Sequence, residues 1–452
     1  MKPNMKIAAL VMALGFVANG AFAAVSADEA AALKSTLTPM GAEKAGNKDG
    51  TIPAWTGVYD KVAPGYKPGA VRADPFADEK PVFSITGKNV DQYAAKLSVG
   101  TVAMLKKYPN YRLDVYPTHR TGGAPEWVYE NTFKNATRAK TVDDGWGVEG
   151  AFGGIPFPIP KTGYEVMWNH NLAWVGETIT YSTRCWVVTA DGKRSLANDA
   201  DQTFMRPYYF KDGSIETQSG VYQHNLLDTR GPASKAGEGI LTLDGLNKKT
   251  PSAIWQYLVG QRRVRRAPSV SYDTPDSVTS GVGFFDEVFM RYGPIDHYEL
   301  KLVGKKEMYI PYNNNRAAAA KVADLVTPQF LNPDLVRWEL HRVWDVEATL
   351  IPGKRHVVPK RHYYFDEDTW QIILIDGYDA QGQIWRDNWT LTLLAPDVPA
   401  LVGNVMWGGY NLQTGAYFLN SSMNELQNQY KPIKRLPVGF YSTESFANRG
   451  SR

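Results

Sequence analysis

Arg342 and Arg361 lie inside runs that read as strands with one greasy face, where a guanidinium needs a carboxylate, a bound anion or an aromatic ring to meet. The run from Trp338 to Leu350 alternates strictly. Trp338, Leu340, Trp344, Val346, Ala348 and Leu350 share one parity; Glu339, His341, Asp345, Glu347 and Thr349 share the other. That period of two marks a strand with one covered face. A two-residue turn at Pro352 and Gly353 sets a register in which Leu340 faces Phe365, Arg342 faces Tyr363, Trp344 faces Arg361 and Ala348 faces Val357. Asp345 then meets Lys360 on the other face, a supporting charge pair. A second turn over 366–369 brings Trp370 opposite Phe365, Ile372 opposite Tyr363 and Leu374 opposite Arg361. Two readings follow. In one, the face lines a concavity, with Arg342 and Arg361 for an anionic end and Trp344, Tyr363, Phe365, Trp370, Ile372 and Leu374 for an apolar body. In the other it is packed core, and each arginine reaches a buried carboxylate.

The run from Gly260 to Pro268 holds four arginines within five positions. On a strand, Arg263 and Arg265 share one side and Arg262 and Arg266 the other. Guanidinium forks suit carboxylate or phosphate oxygens, so Arg263 and Arg265 are second candidates for an anionic ligand or headgroup. The plainer alternative pairs them with acids such as Asp273, Asp276 and Asp286. No nucleophile elbow, zinc-helix motif, phosphate loop or cysteine cluster is present, so no catalytic residue, cofactor or metal site is assigned. His341 falls near His362 in the inferred register, with Glu339 beside them, and Asp366, Glu367 and Asp368 sit on a turn. Either group could draw a cation, but solvated or hydrogen-bonded side chains are the default for both.

The elements that must position these residues are mostly strands. Runs at 179–189 and 301–312 alternate, and Asp191-Gly192 and Asp212-Gly213 have hairpin-turn character. A capping box from Ser26 to Glu29 predicts a short helix near 27–37. Tyr93, Leu97, Thr101 and Leu105 predict a helix over 91–108, whose apolar stripe suits docking on a sheet. Residues 39–81 are rich in Gly and Pro and read as an extended arm. The first 23 residues read as a signal peptide: Lys2 and Lys6, an apolar run from Ile7 to Val17, and a small-x-small site predicting cleavage after Ala23. Residues 24–452 are then expected to form one large domain. Export to the periplasm follows, with no membrane-spanning segment in the mature chain. Loss of Lys2 and Lys6, with no acid in that segment, lowers the formal net charge from +4 to +2, which gives no reason to expect nucleic acid as a partner. The single cysteine, Cys185, excludes an intramolecular disulfide. Thirteen Trp and 25 Tyr suit an aromatic-rich β protein.

Several of these segments together resemble a bacterial family known as domain of unknown function 1329. They are Gly41 to Gly57, Gly154 to Pro160, Trp168 to His170, Gly260 to Pro268, Glu339 to Trp344, Lys360-Arg361, Tyr364, and Asp366 to Trp370. Members are often labelled outer-membrane lipoprotein-sorting proteins, because their fold looks like the periplasmic carriers LolA and LolB. The resemblance implies a mainly β (α+β) chain: a large, strongly curved, half-open antiparallel β-barrel with helices plugging its concave face. It implies no catalytic residues. It also implies a shuttle for lipid or another hydrophobic anion, working with an RND-type inner-membrane exporter and an outer-membrane protein. The helix at 91–108 is the expected plug. An unrecognised periplasmic hydrolase or lyase centred on His341 and His362, and a non-catalytic envelope interaction module, are the competing readings.

Overall fold

The computed structural model describes residues 24–267 and 272–450, so the predicted signal peptide lies outside the described residues. The chain is mainly β, and one 16-stranded sheet dominates it. Its path starts at Phe83–Thr86 and Arg112–Val115, then takes in the meander Trp338–Leu350, Lys360–Asp366, Ile372–Tyr378 and Ile384–Thr390. It continues through Trp407–Asn411, Tyr417–Ser422, Thr178–Val188, Arg194–Met205, Val221–Gly231, Gly239–Gly245 and Ala253–Leu258 to the edge at Arg263–Arg266. Tyr298–Pro311 also pairs with Trp338–Leu350.

This sheet has to curve. Asp286 and Tyr292 belong to one tight loop, in which the Tyr292 N–H donates to the Asp286 carbonyl at 3.1 Å. Yet Asp286 accepts from Arg361, on Lys360–Asp366, while Tyr292 donates its hydroxyl to Asp244, on Gly239–Gly245. Those strands are eight steps apart in the sheet order, or about 38 Å if it were flat at ~4.8 Å per step. Both strands can reach one loop only if the sheet wraps around it. The two ends of the path do not pair among the described residues, so the barrel is half-open.

The concave side is filled by the Gly163–Asn171 helix, whose His170 ring meets Phe365 edge-on, and by the 3-10 segment Phe285–Met290. The expected plug lies elsewhere. Helix Val99–Lys107, preceded by two 3-10 turns, presents the Val99 and Gly100 N–H groups to the Asp376 carboxylate, each at 2.8 Å. Asp376 adjoins Gly377, which pairs with Arg361, so this helix covers the opposite face of the strand from the arginine. An acid at a helix N-terminus satisfies its orphan donors and its positive end, which is why the helix docks there.

The meander forms, with a different register. Trp344 faces Phe365, Val346 faces Tyr363 and Ala348 faces Arg361, four residues from the predicted pairing. Arg342 is therefore not opposite Tyr363, and Asp345 faces Tyr364 rather than Lys360. The cause is the connection: residues 351–359 form a loop rather than a two-residue turn, pinned where the Val357 N–H donates to Asp273. An even shift keeps every side chain on its predicted face. The next strand breaks that rule. A bulge places Ile372 opposite Phe365 but Leu374 opposite Tyr364, so Leu374 leaves the arginine face. Asp191-Gly192 makes the predicted hairpin, whereas Asp212-Gly213 lies in a long loop between Met205 and Val221. The arm at 39–81 contains no helix or regular strand and is held by contacts such as Trp370 Nε1 to the Met40 carbonyl, 2.8 Å.

Candidate functional site

The concave face carries a row of two arginines with a glycine between them. Arg361 pairs with Gly377, and Gly377 pairs with Arg386 on the next strand. A Cβ at Gly377 would sit 2.9 Å from Arg386 Cβ, so only glycine leaves the row open. Both guanidiniums are buried, and both are taken by consecutive acids of the loop segment. Arg361 donates to Asp286 at 2.5 and 3.1 Å; Arg386 donates to Glu287 at 3.0 and 2.6 Å. His356 accepts from the Val358 N–H at Nδ1, which leaves Nε2 to face Asp286 at 3.1 Å. Burial alone would raise the Asp286 carboxyl, but Arg361 and His356 beside it bring it down to about 2. The segment is thus latched to the sheet by two buried, bidentate ion pairs.

Beyond the latch the same segment roofs an apolar cavity of about 60 Å³, which it lines with Phe285, Val288, Phe289 and Tyr292. The sheet lines it from below with Leu227, Ile240 and Trp407, and with polar side chains such as Asn198, Gln202, Asn225 and Asn420 that leave its exposed surface mainly apolar. That volume holds only about four to six waters, so the site is too small for an acyl chain in this conformation. Phe289 and Met290 carry φ values of 54° and 69°. Two consecutive left-handed non-glycine residues are held only where surrounding packing imposes them. A separate surface groove of about 590 Å³ lies between the arm and helix Glu126–Ala136, lined by Trp55, Tyr129 and Phe133 with lysines and glutamates around it.

The residues singled out from the sequence are distributed as follows. Arg361, Tyr363 and Phe365 share the concave face of their strand, and Arg361 also lies 5.4 Å from the Tyr298 ring. Arg342 is 9 % exposed and occupied: it donates to the Ala45 carbonyl at 3.1 Å and to Glu367 at 3.3 Å. Trp344 stacks near Trp370, and Ile372 donates its N–H to His170. Leu374 is buried against Thr101, Trp389 and Tyr410 instead. Arg263 and Arg265 are exposed on the sheet edge. The acids weighed as their partners are elsewhere: Asp286 holds Arg361, Asp273 accepts from Val357, and Asp276 is buried in the apolar cavity. His341 and His362 do not come together. His341 is buried beside Glu339 and stacked on Tyr312, whereas His362 pairs with Asp345 and Glu347.

His341, Asp366 and Asp368 do place one donor atom each within 4.8 Å of one another. Those donors are largely committed. Arg120 binds Asp368 at 2.9 and 2.7 Å, and Tyr312 and Thr369 both donate to Asp366. The cluster therefore ties the arm and the meander turn together as a charge network. Glu287 and Arg386 were not singled out from the sequence, and Asp286 was weighed only as a partner for the arginines at 262–266, because residues 272–297 show no periodicity that would place them. The available signal was a dense run of aromatics, acids and one arginine from Phe284 to Tyr292.

The fold and this site define a mainly β protein whose half-open, curved sheet closes over an apolar cavity under a charge-latched segment. The chain belongs to the family described as "Protein of unknown function (DUF1329)", which residues 84–446 match. It is 44% identical over 380 residues to an uncharacterized protein of Pseudomonas aeruginosa, covering 83% of each chain. Among solved structures it is similar to a DUF1329 family protein from Desulfovibrio piger (12% identity, TM-score 0.42, 63% of this chain and 97% of that one). A putative outer membrane lipoprotein-sorting protein domain from Vibrio parahaemolyticus gives 12% identity, TM-score 0.43 and the same coverages. A LolA superfamily protein from Nitrosomonas europaea gives 10% identity and TM-score 0.34, with 63% of this chain and all of that one covered.

Proposed function

We propose that this protein is a non-catalytic periplasmic carrier whose concave cavity takes the apolar body of a lipid or other hydrophobic anion. The observation that supports it is the apolar cavity beneath Phe285–Tyr292, roofed by a segment that two ion pairs hold in place. An apolar cavity with a few placed polar groups is the usual form of such a site. At about 25 cal/mol per Å² of apolar surface, even partial shielding of an acyl chain yields useful affinity. Because the cavity is small when closed, the segment must lift for cargo to enter, and Asp286 and Glu287 must leave Arg361 and Arg386. Hand-over to an RND-type exporter and an outer-membrane protein belongs to the same reading.

The mature protein, purified from its own periplasm, should carry lipid by native mass spectrometry and bind a fluorescent fatty acid saturably at one per chain. Leu227→Trp, which fills the cavity, should weaken that binding at least ten-fold, and Phe133→Ala, in the arm groove, should leave it unchanged. Absence of both lipid and binding overturns the proposal; loss of binding in Phe133→Ala alone moves the site to the groove.

A further inference from the structure

Eight arginines are buried among the described residues. Seven of them donate to carboxylates or backbone carbonyls. Arg291 is the exception: it is 9 % exposed, its backbone N–H donates to the Asp286 carbonyl, and its guanidinium has no hydrogen bond or ion pair among the described residues. A buried cation without a partner is among the costliest groups a fold can hold, and here the chain builds toward it. The strained Phe289 and Met290 immediately precede it, in a segment already fixed at Asp286, Glu287 and Tyr292.

Arg291 opens on a cavity of about 60 Å³ whose lining mixes polar side chains, Arg206, Gln223, Gln371 and Asn404 among them, with apolar ones. Two further donors on this lining lack acceptors. Arg206 gives its two terminal nitrogens to the Ala173 and Asn171 carbonyls, but its Nε is buried without a partner, and so is Gln371 Nε2. His170 lines the cavity as well; its Nδ1 accepts from Ile372, and burial, reinforced by the Arg291 charge, holds it down at about 3, hence neutral. The carboxylate that acts on this charge, Asp286, is committed to Arg361, and Asp244, which feels Arg206, accepts from the Tyr292 hydroxyl. Arg291, Arg206 and Gln371 thus each bring to one cavity lining a donor without an acceptor, around a space on the scale of about four to six waters. A carboxylate or phosphate group is the chemistry that would complete them, since such oxyanions accept from several N–H donors at once. Phe289 and Tyr292 line both this cavity and the apolar one, so a cationic chamber and an apolar chamber share a wall.

We infer that the Arg291 cavity is an oxyanion site for a carboxylate or phosphate group. On the carrier reading above, on which this part rests, it holds the head of an amphiphile whose tail occupies the adjoining apolar chamber. It replaces Arg342, Arg361, Arg263 and Arg265 as the head-group contact, because the first two are paired and the last two lie on an exposed edge.

The test compares dodecanoate, dodecyl phosphate, dodecanol and inorganic phosphate on the mature wild-type chain, Arg291→Gln and Arg291→Lys. The expected result is a loss of at least ten-fold in dodecanoate and dodecyl phosphate affinity in Arg291→Gln, with dodecanol within two-fold of wild type. Arg291→Lys should recover part of the loss, and ligand-free Arg291→Gln should melt higher than wild type, because an unpaired buried charge is gone. Equal dodecanoate binding in wild type and Arg291→Gln overturns the inference while leaving the carrier reading intact. Lower melting of ligand-free Arg291→Gln, with parallel loss of dodecanol, also overturns it, showing a structural role. If no dodecyl compound binds, but inorganic phosphate raises the wild-type melting temperature and not that of Arg291→Gln, the oxyanion site stands and the carrier reading falls.

Discussion

Residue by residue, the concave face is dominated by charges removed from water, and their environments set opposite titration behaviour. Asp286 is held low by Arg361, whereas Asp276, buried in the apolar chamber with one carboxylate oxygen lacking a partner, is pushed up to about 6. A folded-state value above the unfolded one means that the native chain binds this proton more tightly. Its contribution to stability is fully present below about pH 4 and is lost as pH rises through about 6. Asp276→Asn removes the ionisable group, so it should stabilise the protein by about 2–3 kcal/mol at pH 8, and the gain should vanish by pH 4. Urea melts of both proteins across that range measure it; a pH-independent difference would show that desolvation of Asp276 does not limit stability.

At the level of elements, the segment from Phe285 to Tyr292 depends on its ion pairs. Breaking one partner of a buried pair costs about 3–5 kcal/mol, because the other charge is stranded, whereas replacing both with apolar groups is often neutral. Glu287→Gln should therefore destabilise the protein by about that amount, and Glu287→Leu combined with Arg386→Met should recover most of it. Denaturation midpoints give the energies. Hydrogen exchange should show earlier opening of residues 276–292 in the single variant, while the strands beneath keep their protection. Uniform loss of protection would mean that the segment is part of the core rather than a separable cover.

Over the whole molecule, the arm at 39–81 is tied to the meander turn through Arg120, which binds Asp368 and the Glu43 carbonyl at 2.8 Å. It also approaches Glu367 at 3.6 Å. Arg120→Met leaves two buried acids short of a counter-charge. Limited proteolysis should then nick the arm first and leave the sheet intact, with a stability loss of about 3 kcal/mol. Simultaneous cleavage of arm and sheet would show that the two unfold together.

Periodicity alone determined much of this protein. The strict alternation from Trp338 to Leu350 assigned each side chain to a face, and those assignments survived a four-residue error in register, because the side-chain period is two. The capping box at Ser26 and Glu29 is formed, on a helix that ends at Ala31 and continues as a 3-10 turn to Lys34. Register itself was beyond local reading: the loop at 351–359 is set by contacts such as Asp273 to Val357, 84 positions apart. The bulge that carries Leu374 to the other face leaves no mark in composition. The partner of Arg361 was equally hidden, since Asp286 lies 75 residues away in a stretch with no pattern. Which arginine is paired and which is left facing a cavity depends on how strands eight steps apart close around one loop. Only the tertiary structure could decide that, because burial and pairing of a charge are properties of what surrounds it in space.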